Sequence, residues 1–236
     1  MYPHMTTANW MLNIPFLPDT CYKDAVHYWP LDKLAVREFK NKRSPIGKIH
    51  GPVTVGKAAS STNLGFFPLA ISLDGQTSWV HLGDYPNSCL NDVSKCPDGV
   101  SLSFKAIITG YTSDSLLSSA AISVYHANNS IHFVLRDKEK LWEVKPNCRK
   151  FKWQTFGMSW SRENGLTAVI AGDTTTVLRD TTGRNVAPSN TSHTTVKIGQ
   201  GENTMYAEAK IRDVAVWTEE LGEERLSKLH SCNGMF

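Results

Sequence analysis

No apolar run in this sequence approaches the roughly 18 to 20 residues that a membrane-spanning helix needs, so no helical crossing of a bilayer is expected. A strong charge of either sign is missing too. Across 236 residues, 25 Lys and Arg stand against 22 Asp and Glu, a formal net charge of +3, and the basic residues fall on no nucleic-acid-binding motif. Nucleic acid is therefore not expected as a partner. The densest basic group, Lys40, Lys42, Arg43 and Lys48, lies in a stretch that contains Pro45 and Gly47, and it reads as a solvated loop. Disorder and fibrous classes are excluded by an ordinary composition, 41% hydrophobic and 20% charged, with 16 Gly and 11 Pro spread along the chain.

The usual signatures of catalysis are also lacking. There is no nucleophile elbow, no His-Glu-x-x-His pair and no glycine loop able to cradle phosphate. The histidines are scattered singly; His27 and His81 fall on strand patterns, where core or rim positions account for them. Glu219, Glu220, Glu223 and Glu224 cluster at helical spacing and read as a solvated face. An enzyme is not expected. At the start of the chain the apolar patch Trp10 to Leu17 is interrupted by Asn13 and Pro15, and no Lys or Arg precedes it, unlike a secretory leader. Residues 1–20 are read as an N-terminal extension, poorly ordered or foreign to the domain, and 21–236 as one domain.

What the sequence has in abundance is strand signal: short apolar or alternating runs parted by Gly, Pro, Asn and Asp. Ser78 to Leu82 alternates, with Trp79 and His81 on one face and Val80 and Leu82 on the other. Gly99 to Ile108 sets Val100, Leu102, Phe104 and Ala106 against Ser101, Ser103 and Lys105, a half-buried strand with one wet face. Ala121 to His126 and Ser130 to Arg136 are joined by Ala127-Asn-Asn, a hairpin turn. Phe156 to Ser161, Leu166 to Ala171 and Thr174 to Leu178 form a meander. One helix is expected near the end, with Thr218 as N-cap and Leu221, Leu226 and Leu229 on a stripe. About a dozen strands and one late helix describe an all-β, two-sheet antiparallel sandwich.

Five cysteines bear on the compartment. Cys89 and Cys96 enclose a short polar loop rich in turn formers, which fits a local disulfide that would persist only where conditions are oxidising; two reduced surface thiols are the alternative. Asn128-Asn-Ser and Asn190-Thr-Ser are glycosylation sequons, at Asn128 and Asn190. Together these favour an extracellular setting.

Read in order, several segments resemble the laminin-G-like and pentraxin-like branch of the concanavalin A-like jelly rolls. Tyr28-Trp-Pro-Leu-Asp is similar to the first strand of that family, and Gly75-Gln-Thr-Ser-Trp-Val-His-Leu-Gly-Asp to its "G-x-x-S-Y-V-x-L-G" strand. Cys89 to Cys96 followed by Asp98-Gly-Val-Ser-Leu-Ser-Phe resembles "C-P-x-G-x-T-x-S-F-W". Trp153-Gln-Thr-Phe-Gly-Met-Ser-Trp-Ser and Ala209-Lys-Ile-Arg-Asp-Val-Ala-Val-Trp resemble a later strand and the closing one. Two positions depart from the pattern: Lys105 stands where Trp is favoured, and Arg212 replaces an acidic residue. The resemblance implies a jelly-roll sandwich and a second disulfide, Cys21 with Cys232, leaving Cys148 odd.

It also implies a function of recognition, with a glycan or an extracellular protein as ligand, in a chain that belongs to a larger membrane-anchored or matrix protein. A passive structural module is the alternative reading, and a glycosidase of the same shape a third, although the paired carboxylates of such an enzyme have no counterpart run here. Relatives with calcium at the sandwich rim imply Asp84, Asp92 and Asp213 as candidate ligands. Trp29, Trp160 and Trp217 are expected in the core. Trp142 and Trp153, flanking Lys145-Pro-Asn-Cys-Arg, are expected partly exposed, as ligand-binding aromatics.

Overall fold

The computed structural model describes residues 20–38, 47–57, 69–111, 113–187, 194–201 and 205–232. The patch Trp10 to Leu17, the basic residues Lys40, Lys42 and Arg43, and the sequon at Asn190 lie outside them. In chain order the strands are β1 (His27–Trp29), β2 (Lys48–His50), β3 (Thr54–Lys57), β4 (Leu69–Asp74), β5 (Trp79–Asp84), β6 (Val100–Ile108), β7 (Asp114–Ser118) and β8 (Ile122–Ala127). They continue with β9 (Ser130–Asp137), β10 (Lys140–Val144), β11 (Gln154–Ser161), β12 (Gly165–Ala171), β13 (Thr175–Asp180), β14 (Arg184–Asn185), β15 (Thr195–Ile198) and β16 (Glu208–Trp217). A short helix, α1 (Glu223–Lys228), follows.

The strands form two antiparallel sheets, the sandwich that the alternation implied. The first runs β13-β12-β11-β6-β16-β4-β3, with β1 pairing the far half of β16; the second runs β14-β10-β9-β8-β7-β15-β5-β2. Apolar positions spaced by two residues turn inward from both, among them Leu102, Phe104 and Ala106 on β6, Phe156, Met158 and Trp160 on β11, and Ile131, Phe133 and Leu135 on β9. Trp29, Trp160 and Trp217 are buried. Asn128 and Asn129, both with positive φ, make the two-residue turn between β8 and β9, and both are exposed at its tip.

The outer faces of the two sheets differ, and the difference positions the site. On the first sheet the face expected to be wet is covered: Ser101, Ser103 and Lys105 are buried beneath the chain ends. A second apolar cluster there unites Tyr22, Tyr28, Val169, Trp217, Leu226 and Leu229. A Cβ on Gly157 of β11 would sit 3.3 Å from the Leu226 side chain, so glycine lets α1 lie close on the sheet. Cys21 and Cys232 are bonded with their Cα atoms 6.1 Å apart, fastening the two ends of this cover, and the shorter Cys89–Cys96 bridge is also present.

The helix starts at Glu223, with Gly222 as its N-cap, five residues after the expected Thr218 cap. The reason lies in the sheet beneath it. The Glu220 N–H donates to the Asp98 carbonyl, and the Leu221 N–H donates to the hydroxyls of Ser101 and Ser159, each at 2.9 Å. The Asp98 carbonyl and the two serine hydroxyls thereby hold residues 220–221 on the sheet ahead of the helix. Lys48 also corrects the loop reading, because it opens the edge strand β2.

Candidate functional site

The residues expected to bind a ligand or a metal do not come together. Trp142 is a core residue, 6% exposed, packed edge-on against Trp160 at 5.4 Å, with Gly183 lying against its indole where a Cβ would come within 2.8 Å of the ring. It cannot be the exposed platform that its place beside a loop suggested. Trp153 is half-buried. The same loop instead presents Phe151, 54% exposed at φ +60°, 5.8 Å from Tyr111, which is 79% exposed and carries the Lys150 ammonium 5.0 Å from its ring centre.

Asp213 is fully buried on β16, where a break in register separates the half paired with β4 from the half paired with β1. Its carboxylate accepts hydrogen bonds from Arg212 Nε and from the Tyr28 hydroxyl at 2.7 and 2.8 Å, and it lies 4.0 Å from Lys105 Nζ. Lys105 also donates to the Cys232 carbonyl. Burial and the Asp213 charge push the Tyr28 phenol up, keeping it a neutral donor. The two departures from the family pattern thus face each other across β16 and β6 and share one carboxylate, with Arg212 opposite Lys105. Two cations on a single buried acid leave no place for a divalent ion, and Asp213 does not fit the calcium role.

Asp84 is exposed and accepts from the hydroxyls of Thr194 and Thr195. Asp92 caps the short 3-10 turn Val93–Lys95, accepting from Ser94, whose hydroxyl holds the carboxyl below its ordinary range. Among the described residues no three His, Cys, Asp or Glu side chains gather as a metal-ligand set.

A concave site does exist, on the outer face of the second sheet, which no other element covers among the described residues. Period-two geometry sends Ile122, Val124 and His126 of β8 inward and Ser123 and Tyr125 outward; on β9, Val134 and Arg136 point outward, as do Leu141 and Glu143 on β10. Register then lines up Tyr125 with His132, Val134 with both Ser123 and Glu143, and Leu141 with both Arg136 and Arg184. The turn at Ser118 to Ala121, together with Gly201 and Met205, supplies the other wall of a groove of about 420 Å³, within the range of small-ligand sites.

Glu143 organises the polar side of this groove. Its carboxylate meets His132 Nδ1 at 3.0 Å, Lys145 Nζ at 3.1 Å and the Tyr125 hydroxyl at 3.4 Å, with Arg184 at 4.0 Å. Burial raises the carboxyl, but the bonds and charges of His132 and Lys145 outweigh it and hold Glu143 below its ordinary value. Burial and the Glu143 charge push the Tyr125 phenol up. The Tyr125 ring stacks on His132 at 4.5 Å. Among the described residues the groove therefore offers hydroxyls, an aromatic ring, two guanidinium groups and the ion-paired Glu143 carboxylate, most of them carried on strands. None of its residues was singled out from the sequence; the signal available was the polar alternate set on β8 and β9.

No protein-family model matches the chain, and a search of curated proteins finds no match either. Solved structures do match. The fold is shared with the binding domains of botulinum neurotoxins. The receptor-binding domain of the C/D mosaic serotype aligns with a TM-score of 0.63 at 15% identity, over 88% of this chain and 51% of that one. The binding domain of neurotoxin DC, in complex with rat synaptotagmin II, aligns at 0.63 and 14% identity over 91% and 53%. A structure described in terms of the dependence of type C neurotoxin cell entry on two ganglioside molecules aligns at 0.63 and 14% over 90% and 52%. This chain spans about half the length of those structures. At such identities the likeness establishes the two-sheet antiparallel sandwich and nothing finer.

Proposed function

We propose that this chain is an extracellular, laminin-G-like recognition module that binds a glycan in the groove on the open face of its second sheet, without catalysing a reaction. One observation carries the reading: among the described residues, one outer face is covered by α1 and the segments joined by Cys21–Cys232, while the other holds an uncovered groove lined by Tyr125, Arg136, Glu143, Arg184 and serines. Side chains on strands lose little freedom when a ligand binds, and a mix of hydroxyls, guanidinium groups and an aromatic edge suits a polyhydroxylated partner. Hydrolysis by paired acids needs two carboxylates flanking the bond, whereas the described lining of the groove contributes Glu143, which Lys145 and Arg184 already approach. The two disulfides suit an oxidising, extracellular setting. Structural neighbours whose descriptions name a synaptotagmin complex and ganglioside dependence support a binding reading, with this chain matching about half of each.

A glycan array probed with the wild-type chain, with Tyr125→Ala and with Arg184→Ala, each with and without a calcium chelator, tests the reading. The expected result is binding to a restricted set of glycans that survives chelation and falls about tenfold or more in both variants, the loss of about one to two polar contacts. Binding that neither variant weakens would overturn it, as would no binding to any glycan. A second reading, docking of an extracellular protein at the rim, is favoured by the exposed Phe151 and Tyr111, a pairing of the kind that anchors protein interfaces.

A further inference from the structure

The open face continues beyond the groove, from β7 through β15 and β5 to the edge strand β2. On this end Lys48, His81 and Lys197 occupy directly paired positions, Lys48 opposite His81 and His81 opposite Lys197. Strands lie about 4.8 Å apart, so the three nitrogen-bearing side chains span about 10 Å in one row. Like charges placed directly across strands are unfavourable and call for a counter-charge. Val80 and Leu82 point into the core, leaving Trp79 and His81 on the outer face.

Trp79 does not serve as a bare platform. His50 from β2 stacks on its ring at 3.9 Å and 3°, and Lys197 from β15 places its ammonium 5.1 Å from the ring centre. The indole thus works as a scaffold that holds a histidine from one flanking strand and a lysine from the other. The acid that meets the row among the described residues is Asp84, 3.6 Å from His81 Nε2 and so beyond hydrogen-bonding reach, with its carboxylate already accepting from Thr194 and Thr195. Neither Lys48 nor Lys197 forms a salt bridge among the described residues. Burial, then the charges of His81, Lys48 and Lys197, hold the His50 imidazole below its ordinary value.

We infer that Lys48, His50, His81 and Lys197 form an anion subsite, and that the glycan bound on this face is an acidic one whose sulfate or carboxylate groups meet this row. The inference rests on the proposed reading for the course of the ligand, since groove and row share one face and Arg136 and Arg184 offer cations at the other end. From β9 to β2 the span is five strand spacings, about 24 Å, which calls for an oligosaccharide and not a single sugar. Protonation of His50 adds charge beside Lys48, His81 and Lys197, opposed by Asp84, so affinity for an anion rises as pH falls through the range of that imidazole.

The test measures affinity for heparin as the sulfated probe, hyaluronan as the carboxylate-only probe and dextran as the neutral one. The proteins are wild type, Lys48→Gln/Lys197→Gln and Tyr125→Ala; glutamine keeps most of the side-chain stem that lies over Trp79. Expected are binding to at least one acidic polymer and not to dextran, about tenfold or greater weakening in the lysine variant with a shallower salt dependence, and tightening of wild type from about pH 8 to about pH 5.5. Heparin binding without hyaluronan binding assigns the row to sulfate; the converse assigns it to carboxylate. If the lysine variant binds as wild type does, or dextran binds as well as the acids, the subsite is overturned. Loss in Tyr125→Ala with an unaffected lysine variant leaves the groove standing and removes the row. Loss in the lysine variant alone does the opposite.

Discussion

Replacing Asp213 separates a structural carboxylate from a metal ligand. In Asp213→Ala the Arg212 guanidinium stays buried while losing the group it bonds at 2.7 and 2.6 Å, and the Tyr28 hydroxyl loses its acceptor. Breaking a buried ion pair by removing one partner costs about 3–5 kcal/mol. Asp213 also sits at φ 53°, a left-handed conformation that costs alanine about 1 kcal/mol or slightly more, for a total of about 4–6 kcal/mol. Because a domain of this size loses about 2–4 °C per kcal/mol, Tm should fall by about 10–20 °C. Asp213→Asn, which tolerates the left-handed region, should lose about 1 kcal/mol less. Guanidinium unfolding followed by tryptophan fluorescence, with calcium and with a chelator, measures both variants. The reasoning fails if Asp213→Ala lies within about 0.5 kcal/mol of wild type, or if chelation alone brings wild type down to the variant.

Three further outcomes follow from the same structure. The chain-entropy relation gives about 5 kcal/mol for the Cys21–Cys232 bridge, which closes 211 residues of sequence, and about 2.5 kcal/mol for Cys89–Cys96, which closes 7; double alanine variants compared by urea midpoints should keep that order, and a reversal would show that native packing decides instead. Burial pushes the Cys148 thiol up to about 11, so it is protonated at neutral pH, and alkylation of the native protein followed by mass spectrometry should be slow at about pH 8 and accelerate towards pH 11; a fast reaction at neutral pH would contradict the burial. Phe151→Gly should change stability by less than about 1 kcal/mol, because relief of a left-handed φ offsets the chain entropy of glycine and the exposed ring buries little; a loss above about 2 kcal/mol in denaturant titration would show the ring to be packed rather than presented.

Period two made the sandwich legible, and its failures mark where strands were passed over. In β7, Asp-Ser-Leu-Leu-Ser, two adjacent leucines break the alternation, yet both are fully buried because the pairing with β8 shifts register between Ser115 and Leu117. In β10 the apolar residues fall on both faces, Trp142 in the core and Leu141 under the groove, so the segment looked like a rim with an exposed aromatic. β2 hid in a lysine-containing stretch beside Pro45 and Gly47, where edge strands and loops share a composition. Both disulfide pairings were readable, one from loop chemistry and one from family order. The groove was not, since it needs four strands aligned in register before Tyr125, Arg136, Glu143 and Arg184 become neighbours.

A deeper limit lies in what a polar alternate set means. Ser101, Ser103 and Lys105 on β6 and Ser123, Tyr125 and Arg136 on β8 and β9 look alike in sequence, each a polar row opposite an apolar one. On β6 the row is buried: Ser101 bonds the chain leading into α1, and Lys105 reaches the Cys232 carbonyl at the stapled end. On β8 and β9 none of the described residues of the N- or C-terminal segments lies over the row, and Tyr125 turns to its neighbours His132 and Glu143. What separates a covered face from a working one is the path of the chain ends, set by the Cys21–Cys232 bond and the Leu226 contact at Gly157. Displacing that cover would expose Trp217, Leu226 and Leu229, an apolar surface unlike the groove. Among the described residues the polar row of the second sheet is uncovered, while the apolar outer patch of the first packs the segments around Cys21 and Cys232.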